Sequence, residues 1–187
     1  MKQTKQNSST AAPIMDAEAI RRALQRIAHE IIERNPQLEK VVLAGIPSHG
    51  VEIARRIAGF IRTIEKIDIE TGAIDVAMHR DDVGTRPELP VVRASKLPLS
   101  LEGRTVIIVD DVLYTGRTTR AALDALFRQG RPRQVRLCVL IDRGHRELPV
   151  EATFVGRKVQ TTRQEIIEVQ LRETDQSEKV LLVEKQS

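Results

Sequence analysis

The chain is poor in aromatic residues, with no tryptophan, one tyrosine and three phenylalanines in 187 residues. That scarcity argues against a protein that holds single-stranded nucleic acid by stacking bases on aromatic platforms, so any RNA recognition must rest on charge and shape. Cysteine is limited to Cys138, which excludes an intramolecular disulfide. Its place in the aliphatic run VRLCVLI marks it as a small buried hydrophobe rather than a reactive thiol. No stretch of about 18 consecutive apolar residues, enough to span a bilayer, is present. The opening MKQTKQNSSTAA also lacks the apolar run of a secretory signal. These absences predict a cytoplasmic protein whose residues 1–13 form a disordered tail, followed by a single domain over residues 14–187. With 41% hydrophobic residues, that length suits one proper core and is short for two. Nor is there a large excess of either charge: 30 basic residues are interleaved with 26 acidic ones, for a net +4. A polyanion site must therefore arise by local clustering.

What is present is an alternation of short aliphatic runs and amphipathic segments. DAEAIRRALQRIAHEIIER places Ile20, Ala23, Leu24, Ile27, Ala28 and Ile31 at helical spacing, with Asp16 as N-cap and Asn35-Pro36 as the stop. VVLA reads as a buried strand, GIPSHG as a loop and VEIARRIAGFIRTI as a helix. The same order returns as strand TVIIVDD, loop VLYTGRTT, helix RAALDALFRQG closed by Gly130, and strand QVRLCVLID. AIDVAM reads as a further strand. It is followed by the long proline-punctuated segment 79–104, of the kind that forms a functional lid or a disordered segment. The C-terminal run EIIEVQLRETDQSEKVLLVE alternates around TDQSE as an antiparallel hairpin does. The expected fold is α/β, with a mostly parallel central sheet flanked by helices and ligands at the carboxyl ends of its strands.

The chemistry concentrates in VIIVDDVLYTGRTT. Asp110 and Asp111 end a buried strand, and Tyr114, Thr115, Gly116, Arg117, Thr118 and Thr119 lead into a helix whose free N–H groups and dipole favour a phosphate. Carboxylates repel that phosphate; they suit hydroxyl groups, a Mg²⁺ ion, or a cation formed in a reaction. The ligand should therefore carry both a phosphate and a diol. GIPSHGVE has P-loop glycine spacing, but Val51 and Glu52 stand where lysine and serine or threonine are needed, and no helix opens with a dinucleotide-binding glycine motif. A receiver domain also pairs aspartates at a strand end, but near the start of the domain; here the pair lies past the middle of the chain.

VIIVDDVLYTGRTT resembles the phosphoribosyl-pyrophosphate (PRPP) signature of the type I phosphoribosyltransferases. RRALQRIAHEIIERN, HRDDV, DALFRQGRP and VLIDRGHRELPV extend the resemblance over roughly residues 16–184, and they are similar to the branch that regulates pyrimidine operons by attenuation and makes UMP from uracil. The resemblance implies the type I fold with a small hood and a C-terminal β-hairpin. It implies that Val112, Leu113, Tyr114, Thr115, Gly116, Arg117, Thr118 and Thr119 hold the 5′-phosphate of PRPP or UMP, and that Asp110 and Asp111 face the ribose hydroxyls. Ser48, His49 and Gly50 fall in the pyrophosphate loop, and Arg80 is the residue that would close over the leaving group. Mg²⁺ is implied with PRPP, met by Asp110 and Asp111, and a homodimer or homotetramer is implied as the assembly. For the pyr leader mRNA hairpin, the residues implied are Arg22, Arg26, His29, Arg34, Arg146 and Arg157.

The chain departs from the family pattern at several of these places. Ser48-His49-Gly50 stands where the pattern has Thr-Arg-Gly, which exchanges a permanent cation for an imidazole expected to be largely neutral at pH 7. His79 replaces a tyrosine, Gln25 a threonine, and Glu151 an arginine. The last of these would repel phosphate. The signature by itself does not separate uracil from hypoxanthine, guanine or orotate; only the wider resemblance selects uracil. A purely metabolic phosphoribosyltransferase without RNA regulation is the alternative.

Overall fold

The computed structural model describes residues 11–47, 49–76, 97 and 100–184. Helix α1 (Ala17–Arg34) is started by Asp16, whose carboxylate accepts the Ala19 N–H at 2.7 Å. It buries the six apolar positions that the spacing marks, and Ile20, Leu24, Ile27 and Ile31 each contribute about 1.5–3 kcal/mol on leaving water. Strand β2 (Val41–Gly45) follows, then α2 (His49–Glu65), β3 (Glu70–Ala73), β4 (Thr105–Leu113), α3 (Arg117–Gln129), β5 (Gln134–Asp142) and β6 (Phe154–Lys158). These strands form a five-stranded parallel sheet in the order β3-β2-β4-β5-β6. α1 and α2 pack on one face over Leu43, Ile107, Val109, Cys138 and Leu140; α3 packs on the other over Val42, Ala44, Ile108 and Val139. Cys138 is fully buried and burial pushes its thiol pKa up, as expected of an inert side chain.

A second, antiparallel sheet is built from β1 (Ala11–Asp16), β7 (Glu165–Gln170) and β8 (Lys179–Glu184), in the order β1-β8-β7. The hairpin expected at the C-terminus is β7 and β8, with Ile167, Val169 and Leu171 buried. Its connection carries a short helix, α4 (Arg172–Asp175).

Several boundaries differ from expectation. Ala11, Ala12 and Pro13, expected in the tail, belong to β1 and pair with Val183, Leu182 and Leu181; the open edge of the hairpin supplies the partner that local sequence did not reveal. The strand expected over AIDVAM lies earlier, at Glu70–Ala73, because that segment pairs in register with β2. Ile74 and Val76 are apolar because they are buried beyond the ladder. α2 begins at His49 and α3 at Arg117, so part of each expected loop is the first turn of a helix.

Candidate phosphoribosyl site

The sheet delivers three loops to one edge, at the carboxyl ends of β2, β4 and β5. The loop after β4 carries the acidic doublet. Ile107 and Val109 face the first core and Ile108 the second; beyond the doublet Val112 packs on the first core again and Leu113 lies in the second. The two-residue alternation therefore slips by one across Asp110 and Asp111. The pairing with β5 keeps its register through this point, Asp110 with Val139 and Val112 with Ile141, so the change of facing lies within the strand and adds no residue to the ladder. The carboxylates cover this irregularity themselves: Asp111 N–H donates to Asp110 Oδ1 at 3.0 Å and Val112 N–H to Asp111 Oδ1 at 2.8 Å. β4 runs through the doublet to Leu113, past the expected end. Asp110 is buried and Asp111 half-buried.

Gly116 caps α3 with φ 92°, a left-handed conformation that favours glycine, and a Cβ there would stand 3.3 Å from Leu148 and Val150. Gly116 has no side chain to cap α3, and Arg117 N–H donates instead to Thr115 Oγ1 at 3.4 Å; a helix start of this kind suits a phosphate. The segment after β5 supports this loop. Arg146 donates to the Tyr114 carbonyl at 2.8 Å, and Glu147 and Leu148 N–H groups donate to the Thr115 carbonyl at 3.0 and 3.1 Å. Arg117 pairs with Glu147 at 2.9 Å. Arg143, buried and with its pKa lowered by burial, stacks its guanidinium 4.1 Å from the Tyr114 ring centre. It also donates to Thr161, to the Thr162 carbonyl and to the Glu165 carbonyl.

The loop after β2 comes close to β4. Ile46 N–H donates to the Val109 carbonyl at 2.8 Å, and a Cβ on Gly50 would lie 2.3 Å from that same oxygen, which explains the glycine. His49 bridges two carboxylates, with Nδ1 2.9 Å from Asp111 Oδ2 and Nε2 2.9 Å from Asp175 Oδ2. A neutral imidazole has a single N–H, so two carboxylate acceptors require the doubly protonated ring. Its pKa is accordingly pushed up to about 9; the Asp111 hydrogen bond is the largest cause, burial opposes it, and Asp175 adds to it. The expectation of a largely neutral imidazole is thereby corrected: His49 is a cation at pH 7. Thr174, the Leu171 N–H and His49 in turn hold the Asp175 carboxyl below its usual range.

A hollow of about 830 Å³ opens beside Arg143 and is lined by Asp142, His145, Lys158, Val159 and Thr161. It lies at the carboxyl ends of β5 and β6. Among the described residues no cluster of three or more histidine, cysteine, aspartate or glutamate side chains forms a metal cage. Two adjacent carboxylates do suit Mg²⁺ that keeps substrate phosphates among its ligands. Ser48 and Arg80 lie outside the described residues.

The residues expected to meet RNA divide into two groups. Arg22, Arg26 and His29 are exposed on α1, and Arg157 is exposed on the adjoining edge strand β6. Arg22 pairs with Glu18 at 3.3 Å. Arg26 pairs with Glu30 and donates to the Val155 and Gly156 carbonyls at 2.9 and 2.7 Å; Arg157 donates to the Ile14 carbonyl. Arg34 sits 5.6 Å from the Phe154 ring centre. Arg146 is bonded to the phosphate loop as well. Its guanidinium is held by the Tyr114, Gly144 and Val150 carbonyls and by Asp142 at 2.6 Å, so its place is inside the phosphate loop's scaffold. Sequence reasoning missed Arg143 and Asp175 as parts of the site. The only signal for Arg143 was its place in DRGHREL, and Asp175 gave none because its partner is 126 residues away.

Comparison with known proteins agrees with this geometry. A family model described as phosphoribosyl transferase domain matches residues 11–174. Proteins named Bifunctional protein PyrR are similar along most of the chain. The one from Brevibacillus brevis is 53% identical over 162 residues, covering 87% of this chain and 90% of that protein. The one from Pelotomaculum thermopropionicum is 50% identical over 173 residues, covering 92% and 96%. Among solved structures, a hypoxanthine-guanine phosphoribosyltransferase from Bacillus anthracis superposes with TM-score 0.70 at 19% identity, covering 94% of this chain and 99% of that one. A hypoxanthine phosphoribosyltransferase from Trypanosoma cruzi with its product IMP superposes with TM-score 0.71 at 16% identity, covering 98% of each. At those identities the superpositions speak for the type I phosphoribosyltransferase fold alone. With the family model matching most of the chain and relatives about half identical to this chain, the chain belongs to the phosphoribosyl transferase family and, within it, to the group of bifunctional PyrR proteins.

Proposed function

We propose that this cytoplasmic protein transfers the phosphoribosyl group of PRPP to uracil, giving UMP and pyrophosphate, and that as a homodimer or homotetramer it binds the pyr leader mRNA in a uridine-nucleotide-dependent manner. The observation that carries the reading is the junction of β4 and α3. There a helix start with a left-handed glycine at its N-cap sits directly beyond two carboxylates. The 5′-phosphate fits the α3 N–H groups with Thr115, Thr118 and Thr119, and the ribose diol fits Asp110 and Asp111. Pyrophosphate fits the backbone around Ile46 and Gly50, next to the His49 cation. Uracil fits the hollow beside Arg143.

As uracil displaces pyrophosphate at C1, the sugar gains positive charge, and the two carboxylates stabilise it. His49 stands at the opposite end of the bond that breaks, where a cation favours the departing anion. Bound with PRPP, Mg²⁺ supplies neutralisation of the pyrophosphate charge, and Asp110 and Asp111 are the carboxylates placed to hold it. UMP retains the 5′-phosphate and diol of PRPP, so one site serves both the turnover and the nucleotide signal.

The test is pyrophosphate release from PRPP with uracil, hypoxanthine, guanine and orotate in parallel. Turnover with uracil alone is expected, and turnover with a purine alone would sink the reading. The confinement of Arg146 within the site favours, as a second reading, an enzyme that has no RNA role. Absence of leader-hairpin binding both with and without UMP would decide for it.

A further inference from the structure

At the end of the sheet opposite the phosphoribosyl site, where β2, β4 and β5 begin, the surface sinks into a hollow of about 350 Å³. Arg34, Lys40, Arg133 and Arg136 line it, above a floor that includes the buried Asn35 and Thr105. No carboxylate lines it. Several arginines elsewhere pair with carboxylates: Arg21 with Glu18, Arg55 with Glu52, Arg56 with Glu173, Arg62 with Asp68 and Arg104 with Glu70. Among the described residues none of the four cations of the hollow has such a partner. The C-terminal end of the α1 dipole offsets about half a charge, far short of four.

The floor is built rather than incidental. Asn35 donates to the Ile31 carbonyl at 2.7 Å and accepts from Arg136 at 3.2 Å, and Arg136 also donates to the Arg34 carbonyl at 3.3 Å. Arg136 is thereby fixed in place, while Arg133 reaches the same hollow from the start of β5. Arg34 belongs both to this hollow and to α1, whose exposed Arg22, Arg26 and His29 lead towards it.

We propose that this hollow binds phosphate groups of the RNA backbone, continuing the α1 contact surface beyond Arg34 to Lys40, Arg133 and Arg136. Arginines that receive a phosphodiester need not discriminate sequence, so the hollow positions RNA and adds salt-sensitive affinity. The inference rests on the RNA reading above and adds a second contact region to it. Thr105 in the floor of the hollow and the acidic doublet lie five and six residues apart on β4, so the two places are separated by roughly 17–20 Å along the strand. Changes in one should leave the other's chemistry intact.

The experiment is titration of a fluorescent pyr leader hairpin with the full chain and UMP at several salt concentrations. It compares wild type with the double variant Lys40→Ala/Arg133→Ala and with Arg22→Ala. The double variant is expected to bind on the order of tenfold more weakly at about 0.1 M salt, with a salt slope shallower by about 2. Its uracil-dependent pyrophosphate release should equal wild type. Unchanged affinity and slope, with Arg22→Ala weakened, overturns the hollow alone. A wild-type chain that fails to bind the hairpin overturns it together with the regulator reading. Tripolyphosphate binding lost from the double variant while hairpin affinity stays intact would assign the hollow to free polyphosphates and overturn the RNA assignment.

Discussion

Asp111 serves two contacts at once, closing the irregular turn of β4 through one oxygen and His49 through the other. Asp111→Asn should lower uracil-dependent pyrophosphate release roughly 10²-fold or more, the scale for removing one preorganised electrostatic group; unchanged turnover would remove the doublet from the mechanism. His49 gives a prediction in pH. Its folded pKa of about 9 lies above the ordinary 6.5. Its stabilising contribution is therefore fully present below about pH 6.5 and lost as pH rises through about 9. His49→Gln should flatten the dependence of unfolding free energy on pH between 7 and 9.5, measured by urea denaturation, and identical slopes in variant and wild type would refute the charged bridge. The doublet was legible in the sequence because two carboxylates after an aliphatic strand are conspicuous. The charge of His49 was not, because it depends on Asp175 across the fold.

At the scale of elements, the close approach of α2 to β4 is the tightest constraint in the site. A Cβ on Gly50 would meet backbone, the Val109 carbonyl at 2.3 Å, which cannot turn aside as a side chain can. Gly50→Ala should cost about 1–3 kcal/mol by overpacking, read as a lowered denaturation midpoint. A variant as stable as wild type would mean that α2 can move. Arg26 also has a role that periodicity did not reveal, because it holds two carbonyls of the edge strand β6 while lying on the surface expected to meet RNA. Arg26→Ala should lower both stability and hairpin affinity, whereas Arg22→Ala, which loses only an exposed pairing with Glu18, should lower affinity alone. Equal thermal midpoints for the two variants would contradict that division. The helices and β5 were legible to within a few residues, since each carries its own period and caps. β1 was missed and β3 misplaced because a strand's existence depends on which edge lies beside it.

At the scale of the molecule, the small antiparallel sheet is tied to the parallel one beside the site. His49 reaches Asp175, and Arg56 on α2 reaches Glu173 at 2.6 Å and Glu178 at 2.5 Å. The two sheets thus share α2 as a common support, and that helix starts with the residue facing Asp111. Arg56→Met should release this connection. Faster amide exchange in residues 171–178 with little change in β4 is the expected result, and unchanged exchange there would show that the hairpin is held by its apolar contacts alone. Such an anchor joins segments more than a hundred residues apart, so no local pattern announces it.

By itself the sequence determined the alternation of strands and helices, the buried face of each helix, and the acidic doublet with its phosphate-binding turn. These follow from side-chain period and from chemistry confined to a few neighbouring residues. Only the tertiary structure decided that His49 is charged, that Arg146 bonds to the phosphate loop, and that four cations without a carboxylate partner among the described residues share one hollow. Each of these depends on distances between segments remote in the chain, and electrostatic energies are set by such distances and by burial rather than by residue type.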